Sequence, residues 1–212
     1  MIFTVLGAPG AGKGTLARQL AKILQIPTIS TGALLRDEIG SGSALGQEID
    51  ELISKGNFVS DEMVSKLLVK RLLKPDCQNG YILDGFPRNT SQAEHLSELG
   101  IRLDKALLLD ITDEAIISRL TGRRECPNCR ATYHIRYNPP KQDGVCDECG
   151  ASLKIREDDR PEVIAKRLNI YHKETEPLIQ FFSERDLLET VSGCDSVEDT
   201  VQNALQALGV TL

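Results

Sequence analysis

The amino-acid sequence predicts an α/β protein with a parallel five-stranded sheet and helices on both of its faces. Short apolar runs alternate with segments of helical periodicity, which is the order expected when a parallel sheet is covered on both sides. The first apolar run, 2–6, ends in glycines and is followed by a helical pattern at 13–24. This strand, turn and helix form the first unit of the predicted fold.

Five apolar runs, bounded by glycine, proline or charged residues, are the predicted strands. They lie at 2–6, 27–30, 81–83 (followed by Asp84), 105–111 and 187–191. Helical patterns at 13–24, 31–39, 44–54, 61–73 and 197–208 fall between and after them.

Two segments interrupt the alternation of strands and helices. Residues 30–59 are predicted to be a helical insertion between the second and third strands. Residues 122–159 are rich in Pro, Gly and Cys with weak helical periodicity, and are predicted to form a small inserted domain. The remaining segments, 1–29, 60–121 and 160–212, are predicted to form the core of a single domain.

Charge and composition limit the expected partners. The net charge of −6, with five Phe, four Tyr and no Trp, argues against a general nucleic-acid binder. No apolar run approaches the roughly 20 residues of a membrane-spanning helix, and the N-terminus lacks the features of a signal peptide. We therefore expect a cytoplasmic monomer that binds neither nucleic acid nor membrane.

The stretch GAPGAGKGT fits the pattern G-x-x-x-x-G-K of a phosphate-binding loop (P-loop) through Gly7, Gly12 and Lys13. Backbone N–H groups, the N-terminus of the following helix and the Lys13 ammonium are the groups that bind phosphates in such a loop. Gly14 stands where the loop usually has the Mg²⁺-binding Ser or Thr. Asp84 is therefore predicted to hold Mg²⁺ through waters, the alternative being a helix N-cap or turn role.

Four cysteines form two Cys-x-x-Cys pairs, Cys126 with Cys129 and Cys146 with Cys149, separated by sixteen residues. This spacing is typical of a structural zinc site with four thiolate ligands. Free or redox-active thiols are the alternative, but neither pair begins a helix in a βαβ unit.

Four motifs occur in the order GAPGAGKGT, ISTGALLR, LDGFPRNTSQAE and REDDRPEVIAKRL. Through them the chain closely resembles adenylate kinases over nearly its whole length, in the long form with a zinc-binding lid. The resemblance implies reversible, Mg²⁺-dependent phosphoryl transfer from ATP to AMP, giving two ADP. It also implies that 30–59 is the AMP-binding insertion and that 122–159 is a zinc-ribbon lid over ATP.

The resemblance implies three sets of site residues. The ATP-binding set is Gly10, Ala11, Gly12, Lys13, Gly14, Thr15, Arg119, Arg123, Thr132 and Tyr133. The AMP-binding set is Thr31, Arg36, Asn57, Phe58, Val59, Gly85, Phe86, Pro87, Arg88, Gln92, Arg156 and Arg167. The catalytic set is Lys13, Asp84, Arg88, Arg123, Arg156, Arg167, Asp158 and Asp159.

Some positions depart from the family pattern. Ala33 stands where many relatives have Asp, and 194–199 (CDSVED) match the adenine-contact region weakly. Two alternatives stay open: a kinase of the same fold that uses UMP, CMP or another small acceptor, and an NTP-dependent nucleic-acid-binding switch with a zinc ribbon. His95, His134 and His172 lie in no catalytic motif, which fits a reaction whose ionised phosphate acceptor needs no general base.

Overall fold

The structure, a computed structural model, describes residues 1–54, 59–129, 131–156, 159–193 and 196–210. Its strands are β1 (Ile2–Leu6), β2 (Thr28–Ser30), β3 (Tyr81–Asp84), β4 (Lys105–Asp110), β5 (Arg123–Glu125), β6 (Thr132–His134) and β7 (Leu188–Ser192). Five of them form a parallel sheet in the order β2-β3-β1-β4-β7, and β5 and β6 form a separate antiparallel pair. The predicted fold class is confirmed, with strand ends that differ by one residue at β2, β3, β4 and β7.

Nine α-helices lie in the described residues. They are α1 (Lys13–Leu24), α2 (Thr31–Gly40), α3 (Ala44–Ser54), α4 (Asp61–Leu72), α5 (Thr90–Glu98), α6 (Asp113–Gly122), α7 (Pro161–Ile170), α8 (Pro177–Ser183) and α9 (Val197–Ala207). Short polar side chains accept hydrogen bonds from the first turns of four of these helices, which fixes where the helices begin. These caps are Ser60, Asn89, Thr112 and Ser196.

Helices cover both faces of the parallel sheet. Alternate residues of β4 point to opposite faces, because successive side chains alternate along a strand. Leu107 and Leu109 pack in the cluster that includes α1 and α9, whereas Ala106 and Leu108 pack in the cluster that includes α5 and α8. None of the helices in the described ranges combines the length and the apolarity needed to cross a bilayer.

Both predicted insertions have structure of their own. In the first, α2 packs on α3 and on α4. In the second, the hairpin of β5 and β6 is joined to later residues by single bridges, Glu125 to Lys154 and Val145 to Ser152. β5 and β6 have three residues each, too few to show a period-2 pattern, so this hairpin was not predicted.

The order of the strands brings one set of loops together. β1 ends at the P-loop, β2 is followed at once by α2, and β3 ends at Asp84. These strands are neighbours and run parallel, so their carboxyl ends meet at one edge of the sheet. In open α/β sheets this edge is where ligands bind.

Candidate active site

The P-loop lies between β1 and α1, with Lys13 as the first residue of the helix. The Lys13 Nζ donates hydrogen bonds to the carbonyl oxygens of Gly7 (2.7 Å) and Ala8 (2.8 Å). Gly10 has a φ of 88°, and a side chain there would lie 2.6 Å from the Leu120 Cγ. Within the described residues no side chain caps the N-terminus of α1, so its first N–H groups can serve an anion.

Asp84 ends β3, where it is paired in register with Val5 of β1 and Ser30 of β2. A β-carbon at Gly14 would lie 3.3 Å from the Asp84 Oδ2, so the start of α1 runs close against this carboxylate. The glycine that replaces the usual hydroxyl residue of the loop therefore adjoins a carboxylate. This places an oxygen donor beside the phosphate-binding N–H groups.

Lys13 lies among several charged side chains. Burial lowers the pKa of Lys13 to about 8; the negative charge of Asp84 opposes this shift. The positive charges of Arg88, Arg167 and Arg123 lower the pKa further. Lys13 and the three arginines thus share one region with the carboxylates of Asp84 and of Asp159, which pairs with Arg123. The four cations outnumber the two carboxylates, so the region attracts a polyanion.

Arg88 lies on the turn after β3, and its Nε donates to the carbonyl oxygen of Gly85 (2.9 Å). Burial lowers the pKa of Arg88, and the nearby charge of Arg167 lowers it further. Its main chain is held on both sides, because the Arg88 N–H donates to Gln92 Oε1 (2.7 Å) and its carbonyl accepts from the Thr175 hydroxyl (2.7 Å). Thr175 belongs to a single π-helical turn, Tyr171–Thr175, which no sequence pattern indicated.

Asp159 is fully buried and joins two of the predicted catalytic arginines. Its two carboxylate oxygens accept hydrogen bonds from the Arg123 Nε (2.7 Å) and Nη2 (2.5 Å). Arg167 Nη1 lies 3.6 Å from the same carboxylate. Asp159 thus contacts the arginines and not the P-loop, which makes it a positioning group in this arrangement. Its predicted partner in the pair, Asp158, lies outside the described residues.

Three other predicted arginines are placed separately. Arg119 Nη1 donates to the carbonyl of Ala11 in the P-loop (3.1 Å). Arg156 forms an ion pair with Glu125 of β5. Arg36 is exposed on α2.

The predicted AMP side lies around the turn after β3. The Thr31 hydroxyl donates to the carbonyl of Gly85 (3.0 Å), which joins the start of α2 to this turn. Phe86 is 2% exposed and packs in the core, so its side chain is not open to a ligand. Asn57 and Phe58 lie outside the described residues, and Val59 is half-buried.

Thr132 and Tyr133 lie on β6. The Tyr133 ring is buried among the ribbon residues, and its hydroxyl accepts a hydrogen bond from the Asp147 N–H (2.8 Å). The hydroxyl hydrogen is then available for the Cys146 Sγ, 3.4 Å away. Because the ring and hydroxyl of Tyr133 contact other ribbon residues, the predicted contact of Tyr133 with ATP would have to be made by its main chain.

The four ribbon cysteines are close enough to bind one metal ion. All four sulfur atoms lie within 4.8 Å of one another, and two pairs, Cys126 with Cys149 and Cys129 with Cys146, are 3.4 Å apart. Sulfur atoms about 3.8 Å apart are expected around a tetrahedral zinc ion with bonds of about 2.3 Å. The hydrogen bond from Tyr133 is the main cause that lowers the pKa of Cys146 to about 6. The donor set and its spacing fit zinc.

Sequence reasoning missed Asp61, which follows the first insertion and begins α4. Its carboxylate accepts hydrogen bonds from the side-chain amides of Gln92 (2.6 Å) and Asn89 (3.3 Å). The only signal available was an acidic residue after Ser60, which is ordinary for the first turn of a helix.

The chain is similar to known proteins over nearly its whole length. Residues 5–187 match the family model described as adenylate kinase. The chain is 45% identical over 214 residues to an adenylate kinase of Caldicellulosiruptor saccharolyticus, a match that covers 99% of this chain and 100% of the relative. It is 46% identical to those of Acetivibrio thermocellus, with 100% of both chains covered, and Thermoanaerobacter pseudethanolicus, with 97% and 96% covered. The similarity includes both insertions as well as the core.

Proposed function

The chain belongs to the adenylate kinase family, and from this premise we propose how its own residues transfer a phosphoryl group reversibly from ATP to AMP, giving two ADP. The observation that carries the proposal is the convergence of Lys13, Arg88, Arg123 and Arg167 with Asp84 at the carboxyl edge of the sheet. Lys13 of this cluster belongs to the P-loop, and Arg88 belongs to the turn after β3, which Thr31 joins to the start of α2. Two anionic substrates meeting there would share its positive charge.

Phosphoryl transfer depends on positioning and on neutralising charge more than on covalent chemistry. The P-loop N–H groups and Lys13 would bind the β- and γ-phosphates of ATP. Arg88 would bind the phosphate of AMP, while Arg123 and Arg167 would stabilise the charge on the group in transfer. Guanidinium forks suit this task, because they donate two parallel hydrogen bonds to a phosphate. The acceptor phosphate is already ionised, so no histidine or other base is required.

We propose that Mg²⁺ binds with ATP beside Asp84. Support comes from the half-buried carboxylate at the end of β3 and its closeness to the start of α1 at Gly14. Mg²⁺ prefers oxygen ligands and keeps several of its waters, which suits a single carboxylate near phosphates. The bound ion would neutralise charge on the phosphate oxygens.

We propose that the four ribbon cysteines bind one structural zinc ion. Two ligands, Cys126 and Cys146, are buried and two, Cys129 and Cys149, are exposed. In the described part of the ribbon, the buried apolar cluster consists of Cys126, Cys146 and Tyr133. A module of under 40 residues is too small for a sufficient apolar core, and a metal can take its place.

Residues 30–59 and 122–159 are proposed to close over AMP and ATP respectively, which would exclude water from the transfer. We also propose that the protein acts as a cytoplasmic monomer on free nucleotides. Residues 122–159 contain seven basic and seven acidic residues, a balance that does not favour a nucleic-acid backbone as ligand.

A coupled assay of ADP formation tests the reaction. With Mg²⁺ and ATP, AMP should give rapid ADP production, UMP and CMP should give much less, and Lys13→Met should abolish the AMP-dependent rate. Faster turnover with UMP or CMP than with AMP would show that the acceptor is not AMP but that other nucleotide. ADP formation that needed polynucleotide instead of AMP would overturn it.

A further inference from the structure

The side-chain amide of Gln92 is held at both ends. Gln92 is 6% exposed. Its Oε1 accepts from the Arg88 N–H (2.7 Å), and its Nε2 donates to the Asp61 Oδ1 (2.6 Å). An N–H group only donates and a carboxylate only accepts, so these two partners allow one orientation of the amide.

Asn89 is fixed in the same way and closes the arrangement. Its Oδ1 accepts from the Gln92 N–H (2.8 Å) as the cap of α5, and its Nδ2 donates to the Asp61 Oδ2 (3.3 Å). Both carboxylate oxygens of Asp61 therefore accept from amides whose own orientation is set by backbone N–H groups. In a neutral amide at position 61 one of these two oxygens would be replaced by an NH2 group, which would face the amide of Gln92 or Asn89 as a second donor.

We propose that Asp61 is a positioning residue that sets the specificity of the enzyme for the acceptor base. The proposal rests on the proposed function, in which AMP is the acceptor and Gln92 belongs to its site. Asp61 and Arg88 leave one Nε2 hydrogen and one Oε1 lone pair of Gln92 for a base. One donor beside one acceptor, in a fixed order, is the pattern with which a Gln side chain binds adenine.

The location of Asp61 gives it a second role. It is the first residue of α4, immediately after the insertion, while its partners Asn89 and Gln92 lie on α5 and its cap. Two hydrogen bonds, from Gln92 to Asp61 and from the Arg88 N–H to Gln92, connect Asp61 to the main chain of Arg88. The hydrogen bonds of Asp61 thus join the end of the insertion to the turn that presents the Arg88 guanidinium.

The test compares Asp61→Asn with Glu62→Gln, using AMP and inosine monophosphate as acceptors. Inosine monophosphate carries an oxygen where adenine has its amino group. On the edge that includes N1 its donor and acceptor are therefore reversed, and on the N7 edge the donor of adenine is replaced by a second acceptor. Glu62 occupies the same first turn, but its contact is an exposed ion pair with Lys66, so its variant controls for the lost helix-terminal charge. In Asp61→Asn we expect KM for AMP to rise about tenfold and the AMP-to-inosine-monophosphate ratio of kcat/KM to fall about tenfold.

A merely structural role would not produce this pattern. In Asp61→Asn, KM for ATP, zinc content and melting temperature should match those of Glu62→Gln. In a protein that already carries Gln92→Leu, adding Asp61→Asn should change KM for AMP and the acceptor ratio little further. An unchanged acceptor ratio and an unchanged KM for AMP in folded Asp61→Asn would overturn the inference while leaving the proposed function intact. Wild-type protein that formed no ADP from AMP would overturn both.

Discussion

Replacing the buried carboxylate of Asp159 should weaken both the fold and the catalytic site. In Asp159→Asn the amide nitrogen faces a guanidinium nitrogen, so at least one of the two Arg123 hydrogen bonds is lost and two donors oppose each other. Removing one partner of a fully buried ion pair costs about 3–5 kcal/mol. The Arg123 side chain is 17% exposed and can recover some hydration, so we expect a loss near 2–3 kcal/mol.

The activity should fall for a different reason. Asp159 contacts Arg123 and Arg167, and without the carboxylate neither guanidinium is held in one orientation. Misplacing such groups commonly reduces turnover by about 100-fold. We therefore expect kcat to fall between about 10-fold and 100-fold in Asp159→Asn, with a smaller change in KM for AMP.

Urea unfolding at 25 °C and the coupled ADP assay measure the two effects. Asp76→Asn is the matched control, because Arg71 also donates two hydrogen bonds to the carboxylate of Asp76, whose side chain is 52% exposed. That variant should shift the urea midpoint much less, since solvent screens the exposed pair. If Asp159→Asn unfolded at the wild-type midpoint and kept the wild-type kcat, the assigned role of the buried pair would be refuted.

Three further predictions concern other parts of the protein. Lys13→Met should reduce kcat by at least about a thousandfold. It should not lower the melting temperature, because the pKa of Lys13 falls from 10.5 in the unfolded chain to about 8 in the folded state. Between these pH values the folded state binds fewer protons than the unfolded chain, so at neutral pH the buried charge destabilises the fold. A lower melting temperature would contradict this sign. Cys126→Ser with Cys129→Ser should abolish zinc binding and lower the melting temperature. Cys77→Ser is the control, because Cys77 is a buried cysteine outside the ribbon, and this variant should still bind zinc; metal analysis and calorimetry measure the two effects. Hydrogen bonds to the carboxylates of Asp113 and Glu176 raise the pKa of His172, so this histidine should add stability below pH 6.5 that is lost as the pH rises through the folded pKa. The melting temperatures of wild type and His172→Gln should therefore converge at alkaline pH. A difference that stayed constant with pH would exclude the histidine as its cause.

The sequence by itself determined the features that depend on local spacing. The P-loop, the two cysteine pairs and the apolar strands are each written in a short stretch, because a turn, a metal knuckle and a buried strand are built from neighbouring residues. The confirmed sheet and the cluster of Cys126, Cys129, Cys146 and Cys149 follow from this local information. Strand ends were less accurate, since the last residue of a strand depends on its partner's length.

Tertiary structure decided which distant side chains meet. Asp61 binds Gln92 across 31 positions, Arg123 binds Asp159 across 36 and Thr175 binds Arg88 across 87. Such pairs depend on the order of strands in the sheet and on the packing of helices over it. Hydrogen bonds of this kind leave no periodic trace in the sequence, because each partner is an ordinary polar residue in its own segment. The arginines, Asp159 and Gln92 could be predicted from their motifs, but which arginine each of these two residues holds was decided only by the folded arrangement.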